Sequence, residues 1–377
     1  MAQLEPWGIP AFNGLRWPVA DALAEDLLGR PVASECPPQV RDAFRGKTVL
    51  VTGAGGSIGS VVCRRLVECE AKRIVLYDRS EFALYQLDSV MRATGAVAVP
   101  ELGCIRDRQR LRRVMERHGV GHVVHAAAYK HVPMLEANPA EAVMNNVIGT
   151  SRVLEAAVEH GADVVLVSTD KAVAPAGIMG ATKRWAEHVA AEAGQRSRGI
   201  RVGIVRFGNV LGSSGSVVPL FAEQIANGGP VTITDFRAER HFMTPMEAAD
   251  LVLAAGAFGA KGEVFVRDSG PQVRIRDVAA RMIRMAGKVP HADPGPFSIA
   301  LHETQLRPGE KLREADFDLS DAQSTGLPGV YQLSAPKQTE HLRQALPRLF
   351  KAAEAENFDA IRSLLLASQE ERLGAVA

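Results

Sequence analysis

The chain has 377 residues, of which 46% are hydrophobic and 23% charged, the composition of a folded protein with a sizeable core. Its 44 basic and 43 acidic residues leave a net charge of +1, which excludes the strong positive field that would attract nucleic acid or an anionic membrane surface. Four cysteines without a paired spacing argue against a disulfide framework or a metal site and suit a reducing compartment.

The chain shows no signal for a membrane or for export. No apolar run reaches membrane-spanning length, and the first ten residues lack a basic start followed by an apolar core. We therefore expect a cytoplasmic protein with no membrane span and no nucleic-acid partner. Its partner should be a small molecule.

Strands and helices alternate through the first half of the chain. Residues 1–45 come first, and their prolines and single short helical run predict a strap over the following domain. Residues 46–207 then predict strands at 48–52, 74–78, 96–102, 122–125, 164–167 and 202–205, and helices ending at 66 and spanning 82–91, 108–117 and 140–160. This alternation predicts an α/β fold with a Rossmann-type doubly wound parallel sheet.

The pattern changes after residue 207. A Gly/Ser-rich loop precedes shorter elements, predicted as a helix at 217–227, a strand at 231–234, a helix from 245, a strand at 264–266 and a helix at 275–285. We expect residues 208–335 to form a smaller α/β substrate lobe, interleaved with the first domain and closing over the sheet's carboxyl edge. Residues 336–377 predict C-terminal helices that carry no chemistry.

A glycine-rich turn after the first strand predicts a dinucleotide site. Gly53, Gly56 and Gly59 follow a strand and open a helix, so backbone N–H groups can approach a pyrophosphate. Asp78 ends the second strand, where a carboxylate accepts hydrogen bonds from ribose hydroxyls and repels a 2′-phosphate. This favours NAD as cofactor, and the adjacent Arg79 keeps NADP open. Further cofactor contacts are expected at Ser57, Ile58, Ile105, Ala126 and Ala127.

An acid and a base follow the fifth predicted strand. Thr169, Asp170 and Lys171 come directly after residues 164–167, so they should lie at the carboxyl edge of the sheet, where ligands bind. Met179 and Lys183 have the i, i+4 spacing that places two residues on one face of the next helix. The stretch therefore predicts a catalytic centre beside the cofactor.

Several motifs together carry a family resemblance over residues 47–312. They are the runs 52–60, 125–133, 145–150, 168–171, 206–216 and 307–311. On these runs the chain resembles the extended short-chain dehydrogenase/reductases. Within them it resembles the UDP-N-acetylglucosamine 4,6-dehydratases of the polysaccharide-biosynthesis (CapD/FlaA-like) family. The resemblance also implies a homo-oligomer, a dimer or larger.

The resemblance implies a lyase reaction that is redox-neutral overall. C4 of UDP-N-acetylglucosamine is oxidised with NAD, water is eliminated across C5 and C6, and the hydride returns to C6. The product is a UDP-2-acetamido-2,6-dideoxy-4-keto-hexose. Lys171 is expected to be the C5 base, Asp170 the general acid for the C6 hydroxyl, and Lys183 the group that holds the nicotinamide ribose.

Met179 stands where the wider family has a catalytic tyrosine, and it resembles a sub-branch with Met at this place. A thioether has no exchangeable proton, so Met179 cannot deprotonate the C4 hydroxyl. Asp170, Lys171 or a water held by Thr169 could take that proton, and the sequence does not choose among them. Met179 itself is expected to fill space beside the cofactor.

The substrate is expected between the two lobes. Arginines bind diphosphates bidentately, and Glu310 could accept a hydrogen bond from a ribose hydroxyl. The predicted substrate-binding residues are Lys130, His131, Asn209, Ser213, Ser214, Arg240, Arg307 and Glu310. His125, inside the fourth predicted strand, is instead expected to be a hydrogen-bonded core histidine.

Two other functions stay open at the level of sequence. A nucleotide-sugar 4-epimerase uses the same fold but needs no acid and base for C5 and C6, so Asp170 and Lys171 argue against it. A catalytically silent NAD-binding regulator is suggested by Met179 and by Cys104, which stands where relatives usually have an aspartate.

Overall fold

The computed structural model of the chain describes residues 11–12, 15–16, 21–32, 36–291, 295, 297–337 and 340–367. The predicted N-terminal strap and C-terminal helices therefore lie partly outside the described residues. Among the helices that are described, none is both long and apolar enough to cross a membrane.

Most strands are short and alternate with helices. The strands of the described chain are β1 (Ala11–Phe12), β2 (Leu15–Arg16), β3 (Thr48–Thr52), β4 (Arg73–Asp78), β5 (Ala98–Leu102), β6 (His122–His125), β7 (Asp163–Val167), β8 (Val202–Val205), β9 (Asn209–Val210), β10 (Val231–Ile233), β11 (Glu239–Arg240), β12 (Phe242–Met243), β13 (Lys261–Arg267), β14 (Val273–Arg274), β15 (Val289–His291), β16 (Ser298–Glu303), β17 (Gln323–Ser324) and β18 (Val330–Leu333).

The described helices are α1 (Asp21–Leu28), α2 (Pro38–Phe44), α3 (Ser57–Glu68), α4 (Glu81–Ala93), α5 (Arg108–His118), α6 (Val132–Ala137), α7 (Pro139–Val143), α8 (Gly149–His160), α9 (Ile178–Arg196), α10 (Val217–Ala226), α11 (Pro245–Phe258), α12 (Ile275–Met285), α13 (Glu340–Glu354) and α14 (Phe358–Ala367). Several begin at a side chain that accepts a hydrogen bond from the first turn. Ser80 caps α4, Asp107 caps α5, and Thr244 forms a reciprocal capping box with Glu247 at α11.

The main sheet has nine strands in the order β17-β18-β13-β8-β7-β6-β3-β4-β5. The strands from β13 to β5 are parallel, and β18 and β17 extend the sheet antiparallel at one edge. After β5 the chain returns to place β6 beside β3, so the strand order reverses there. This is the switch point at which doubly wound sheets bind ligands. The predicted Rossmann-type α/β fold is confirmed.

Alternate residues of the central strand enter two separate cores. Val49 and Val51 of β3 pack with α2, α3, α4 and α11 on one face, and Leu50 packs with α5, α8 and α9 on the other. All three side chains are fully buried. A strand buried on both faces is mostly apolar, which is why the run 48–52 could be predicted as a strand from the sequence.

A smaller body is built from α1, which precedes the main sheet in the chain, and from elements that lie between β8 and β17. Strands β10, β16 and β15 form a parallel three-stranded sheet, and α1, α10 and α12 share one apolar cluster with it. The helix α1 enters this cluster through Ala24, Leu27 and Leu28. Two residues further on, the Arg30 guanidinium donates to both carboxylate oxygens of Glu247, at 2.8 and 2.9 Å.

The predicted strand 264–266 lies in a different place from the one that the sequence suggested. It was expected in the smaller lobe, but it forms part of β13 in the main sheet, parallel to β8. The apolar pattern reveals that a strand is buried, but it does not identify the strand with which it pairs. As a result, residues 208–335 return to the main sheet through β13, β17 and β18.

The predicted helix 140–160 contains a π-helical turn, Met144–Ile148, between α7 and α8. Asn146 in this turn accepts a hydrogen bond from the Tyr129 N–H (2.8 Å) and donates to the Tyr129 carbonyl (3.0 Å). The same amide donates to the Thr182 hydroxyl of α9, at 3.2 Å. The turn therefore fixes the loop after β6 against α9, which matches the frequent occurrence of such bulges near functional sites.

His125 is a satisfied core histidine, as expected. Its ring nitrogens lie 2.8 Å from the Thr52 hydroxyl and 3.0 Å from the Thr150 hydroxyl. The side chain is 1% exposed, and burial lowers the pKa of His125 to about 3. The neutral imidazole therefore joins β3, β6 and α8.

We predict that this buried histidine makes the fold less stable in mild acid. Below about pH 6.5 the unfolded chain protonates its histidine, whereas folded His125 stays neutral down to about pH 3. Stability is thus lost as the pH falls, by about 1.4 kcal/mol per pH unit at most. Urea unfolding at several pH values should show a shallower acid slope for His125→Gln. His302→Gln, at an exposed histidine, should keep the slope of the unaltered protein, and equal slopes in all three would contradict the assignment.

Candidate active site

A cavity of about 700 Å³ opens at the carboxyl edge of the main sheet. Its walls come from the glycine turn after β3, the loop after β6, the end of β7, the start of α9 and the loop after β8. The predicted site residues that line it are Gly53, Gly56, Ser57, Ile58, Gly59, Ala126, Lys130, His131, Thr169, Lys171, Met179, Lys183, Asn209 and Ser213.

The glycine turn is packed too closely for side chains. Gly53 has φ +66°, and a Cβ there would lie 2.7 Å from the Ala127 backbone. A Cβ at Gly59 would lie 2.1 Å from the Gly53 carbonyl oxygen. Gly56 precedes α3 without a side-chain cap, and it lines the cavity. The N-terminus of α3 thus faces the cavity with its backbone N–H groups and the positive end of its dipole.

Asp78, the last residue of β4, and Arg79, which follows it, are held by different contacts. The Asp78 carboxylate accepts from the Gly55 N–H (3.0 Å) and from the Ser80 N–H (2.9 Å), which fixes it beside the glycine turn. The Arg79 guanidinium lies 4.6 Å from the centre of the Tyr129 ring and donates to the Tyr129 hydroxyl. Asp78 is therefore oriented by the turn, whereas Arg79 is engaged by an aromatic ring.

Four of the expected cofactor residues do not line the cavity, namely Asp78, Arg79, Ile105 and Ala127, and the last two have structural contacts of their own. Ile105 is buried, and a Cβ at Gly149 of α8 would lie 2.6 Å from its side chain. Ala127 packs its backbone against Gly53, while the neighbouring Ala126 lines the cavity. A cofactor role for Ile105 and Ala127 remains a prediction.

The acid and base form an ion pair at the end of β7. Asp170 is 1% exposed and begins the 3₁₀ turn Asp170–Ala172. Its Oδ1 accepts from the Lys171 Nζ and from the Thr169 hydroxyl, each at 2.9 Å. Its Oδ2 is buried and accepts no hydrogen bond from any described residue. The Lys171 ammonium also donates to the Asn209 side-chain oxygen, at 3.3 Å.

Met179 and Lys183 share the face of α9 that borders the cavity, as their spacing predicted. Met179 is 4% exposed and belongs to an apolar cluster with Leu135 and Trp185. The Lys183 ammonium donates to the Val167 carbonyl at 2.7 Å. Burial lowers the pKa of Lys183 to about 8, and the negative charge of Glu187 opposes this shift.

Glu187 is a buried member of the site that sequence reasoning missed. It is fully buried and accepts from the Ser168 hydroxyl at 2.5 Å. Arg206 donates to both of its carboxylate oxygens, at 2.8 and 2.5 Å. Its position four residues after Lys183 on the same helix face was the available signal. The network ties α9 to the ends of β7 and β8.

A second missed carboxylate, Glu136, holds the start of α9. Its Oε1 accepts from the Ile178 N–H at 2.6 Å. Its Oε2 pairs with the Arg362 guanidinium of α14 at 3.0 Å. The C-terminal helix therefore contacts the element that carries Met179 and Lys183.

Two cationic candidates lie together in the cavity wall. Surrounding protein lowers the pKa of Lys130, although its side chain reaches solvent. Burial lowers the pKa of His131, and the positive charges of Lys130 and Arg307 lower it further. The lowered pKa of His131 favours its neutral ring, so the positive charge near it comes from Lys130 and Arg307.

The loop after β8 reaches over to the glycine turn. The Ser214 N–H donates to the Ser57 hydroxyl at 2.9 Å, and the two hydroxyls lie 3.2 Å apart. A Cβ at Gly215, which has φ +68°, would lie 2.4 Å from the His131 ring. The loop is thus packed between the start of α3 and His131.

Four predicted substrate residues lie outside the cavity wall, namely Ser214, Arg240, Arg307 and Glu310. Arg240 donates to the carbonyls of Glu239, Lys311 and Leu312, at 2.7 to 3.0 Å. Arg307 and Glu310 pair with each other, with Arg307 Nη2 2.6 Å from Glu310 Oε1. Their contact with substrate remains a prediction. In the part of the chain that the structure describes, no cluster of His, Cys, Asp and Glu could hold a metal ion.

The chain resembles known proteins over most of its length. The profile of a family described as "Polysaccharide biosynthesis protein" matches residues 49–333. The chain is 44% identical over 300 residues to the probable polysaccharide biosynthesis protein EpsC of Bacillus subtilis, covering 78% of this chain and 49% of EpsC. It thus spans about half the length of that relative. It is 34% identical over 300 residues to a UDP-glucose 4-epimerase of Rickettsia typhi, covering 77% of this chain and 83% of the epimerase.

Solved structures give the same picture of the fold. Pen from Bacillus thuringiensis matches with a TM-score of 0.71 and 31% identity, over 78% of this chain and 90% of Pen. A double mutant of DesIV, a dTDP-glucose 4,6-dehydratase from Streptomyces venezuelae with NAD bound, matches with a TM-score of 0.61 and 26% identity. This second match covers 71% of this chain and 87% of DesIV.

We predict that the Glu187 network is essential for the stability of the site. Glu187→Gln leaves the largely buried Arg206 guanidinium without its ion partner, which should cost about 3–5 kcal/mol in the free energy of unfolding. Urea denaturation measures the loss. Glu192→Gln is the matched control on the same helix, because its pairs with Arg196 and Arg343 are largely exposed and worth about 1 kcal/mol or less. Equal losses of unfolding free energy in the two variants would show that the Glu187–Arg206 pair contributes no more than the pairs of Glu192.

Proposed function

Because the chain belongs to the polysaccharide biosynthesis protein family, we propose that it is an NAD-dependent 4,6-dehydratase of UDP-N-acetylglucosamine. The observation that carries the proposal is the ion pair of buried Asp170 with half-buried Lys171, beside a cavity that the glycine turn also lines. Its product would be a UDP-2-acetamido-2,6-dideoxy-4-keto-hexose. Since the chain spans about half of EpsC, the proposal concerns the reaction of this part.

The residues around the glycine turn fit a dinucleotide. Gly56 and the uncapped start of α3 offer backbone N–H groups to a pyrophosphate. Asp78 would hold the adenosine ribose, and Lys183 the nicotinamide ribose. Bound NAD supplies a hydride acceptor for C4 of the sugar. The fixed Asp78 carboxylate supports NAD over NADP, because a carboxylate repels a 2′-phosphate, and Arg79 is engaged by Tyr129.

The ion pair can supply both the base and the acid that an elimination needs. Moving one proton along the 2.9 Å hydrogen bond from Lys171 Nζ to Asp170 Oδ1 gives a neutral amine and a carboxylic acid. Lys171 then removes the C5 proton, and Asp170 protonates the departing C6 hydroxyl, which leaves as water. The products of that step are an ammonium and a carboxylate, so elimination itself restores the observed pair.

The Lys171 ammonium lies among anionic and polar groups. Its ammonium is bound by Asp170 and Asn209, and it lies 3.7 Å from Glu314. Lys171 must therefore lose a proton before it can remove the C5 proton.

Met179 leaves the first proton transfer to another group. It lies in the cavity wall among apolar side chains, and its thioether has no proton to exchange. The C4 hydroxyl proton can pass to Asp170, to Lys171 or to a water held by Thr169. Met179 shapes the wall and excludes water from this side of the site.

The part of the cavity wall that follows β6 and β8 suits a nucleoside diphosphate. Lys130 and His131 line the cavity, and the charge of Arg307 reaches His131. Asn209 and Ser213 add polar groups from the loop after β8. Lys130 and the nearby Arg307 could bind a diphosphate, and the polar groups of Asn209 and Ser213 could bind hydroxyls, which together suit a UDP-sugar.

A nucleotide-sugar 4-epimerase is the second candidate, because the chain is similar to a UDP-glucose 4-epimerase. NMR spectroscopy of the product formed from UDP-N-acetylglucosamine distinguishes the two. A 6-deoxy-4-keto sugar supports the dehydratase. A C4 epimer that keeps its C6 hydroxyl identifies an epimerase, and an unchanged substrate with cofactor bound identifies a silent NAD-binding protein.

We predict that substitutions of Lys171 and Asp170 impair different steps of the reaction. Lys171→Met should abolish both water loss and hydrogen exchange at C5, because no base remains. Asp170→Asn should slow water loss by about 10²–10⁴-fold, the usual contribution of a general acid, while C5 still exchanges with solvent deuterium. Mass spectrometry in heavy water follows both events.

Lys72→Met is the matched control for this experiment, since Lys72 is an exposed lysine far along the chain from the pair. It should dehydrate the substrate at the rate of the unaltered protein. Dehydration by Lys171→Met at that rate would refute the assignment of the base.

A further inference from the structure

A buried carboxylate, Glu314, lies behind the catalytic lysine. Its side chain is 4% exposed. Its Oε1 lies 3.7 Å from Lys171 Nζ and 3.8 Å from Arg240 Nε, and its Oε2 lies 3.7 Å from Lys311 Nζ. No described residue donates a hydrogen bond to Oε2. A carboxylate at such a depth needs cations around it, and here one of them is the proposed C5 base.

Arg240 and Lys311 also hold Glu314 in place, Arg240 at the same oxygen as Lys171 and Lys311 at the other. Arg240 is itself fixed, because its guanidinium donates to the carbonyls of Glu239, Lys311 and Leu312. Two of these carbonyls belong to the segment that carries Glu314. This explains why Arg240, predicted to bind substrate, lies outside the cavity wall.

We propose that Glu314 is a positioning residue that orients Lys171 and stabilises its ammonium as the amine takes up the C5 proton. The inference rests on the proposed dehydratase function. Asp170 cannot serve this purpose throughout, because it is neutral while it carries the proton for the leaving hydroxyl. Glu314 is the carboxylate that stays charged beside the amine at that moment, as the third member of a catalytic triad does for its histidine.

The elimination balances without any proton on Glu314. The C5–H bond breaks and its proton joins Lys171 Nζ, while the bonding electrons form the C5–C6 double bond. The C6–O bond breaks, and the oxygen takes the proton of Asp170 to leave as water. Lys171 is then an ammonium between the carboxylates of Asp170 and Glu314, which is the arrangement observed.

Glu314 acts through Lys171, since it touches the lysine and does not line the cavity. Its removal should therefore affect turnover more than substrate binding. For Glu314→Gln we predict a kcat lower by roughly 10²-fold, comparable to losing one preorganised electrostatic group, with KM for UDP-N-acetylglucosamine little changed. Glu314→Asp keeps the charge but withdraws it by about one C–C bond, roughly 1.5 Å, and should recover part of the kcat.

The pH profile provides a readout that a purely structural role would not change. Asp170 and Glu314 are the anions that face Lys171, and Arg240 and Lys311 are the cations that face Glu314. Removing one anion disfavours the ammonium of Lys171. The rising limb of kcat against pH should therefore move to lower pH in Glu314→Gln.

The control is Asp318→Asn, which neutralises an exposed carboxylate of the same segment and should leave kcat and the pH profile unchanged. Circular dichroism and thermal melting show whether each variant is folded. A folded Glu314→Gln protein with the original kcat and pH profile overturns the inference. If that variant does not fold, the Glu314→Asp protein decides, and an undiminished kcat there overturns the inference as well. Absence of water loss in the unaltered protein is a separate result that refutes the proposed function itself.

Discussion

The active site depends on one buried carboxylate that fixes a helix to two strands. Glu187 binds Ser168 at the end of β7 and Arg206 at the end of β8. Lys183 and Met179 lie about one and two turns earlier on the same face of α9, so their distance from the sheet follows from this clamp. A charge this deep is tolerated only because Arg206 neutralises it. The buried pair therefore fixes the geometry of the site more than it adds to the net stability of the fold.

Much of the fold could be predicted from sequence, because its signals are local. The strands 48–52, 122–125 and 202–205 begin and end where the apolar runs begin and end. Parallel strands buried on both faces leave such runs, and their carboxyl ends meet at one edge. Knowing where β7 ends was therefore enough to place Asp170 and Lys171 at the site.

The partners of these residues could not be predicted, because they come from distant parts of the chain. Glu314 approaches Lys171 only through the fold, and nothing in the neighbouring sequence marks it as different from other acidic residues. Arg240 shows the same limit from the opposite side. A motif reveals that an arginine is present, but the carbonyls of Lys311 and Leu312 that bind it are supplied by tertiary structure. The pairing of β13 with β8 was missed for this reason too.

The sequence predicted that the C-terminal helices carry no chemistry. The contact between Glu136 and Arg362 connects one of them to the candidate site. Through Glu136, α14 reaches the first N–H group of α9, the helix that carries Lys183. This ion pair of the tail thus helps to hold the start of that helix. A relative that exchanged its tail for another would have to find a new counter-ion for Glu136, so tail and active-site helix are expected to diverge together.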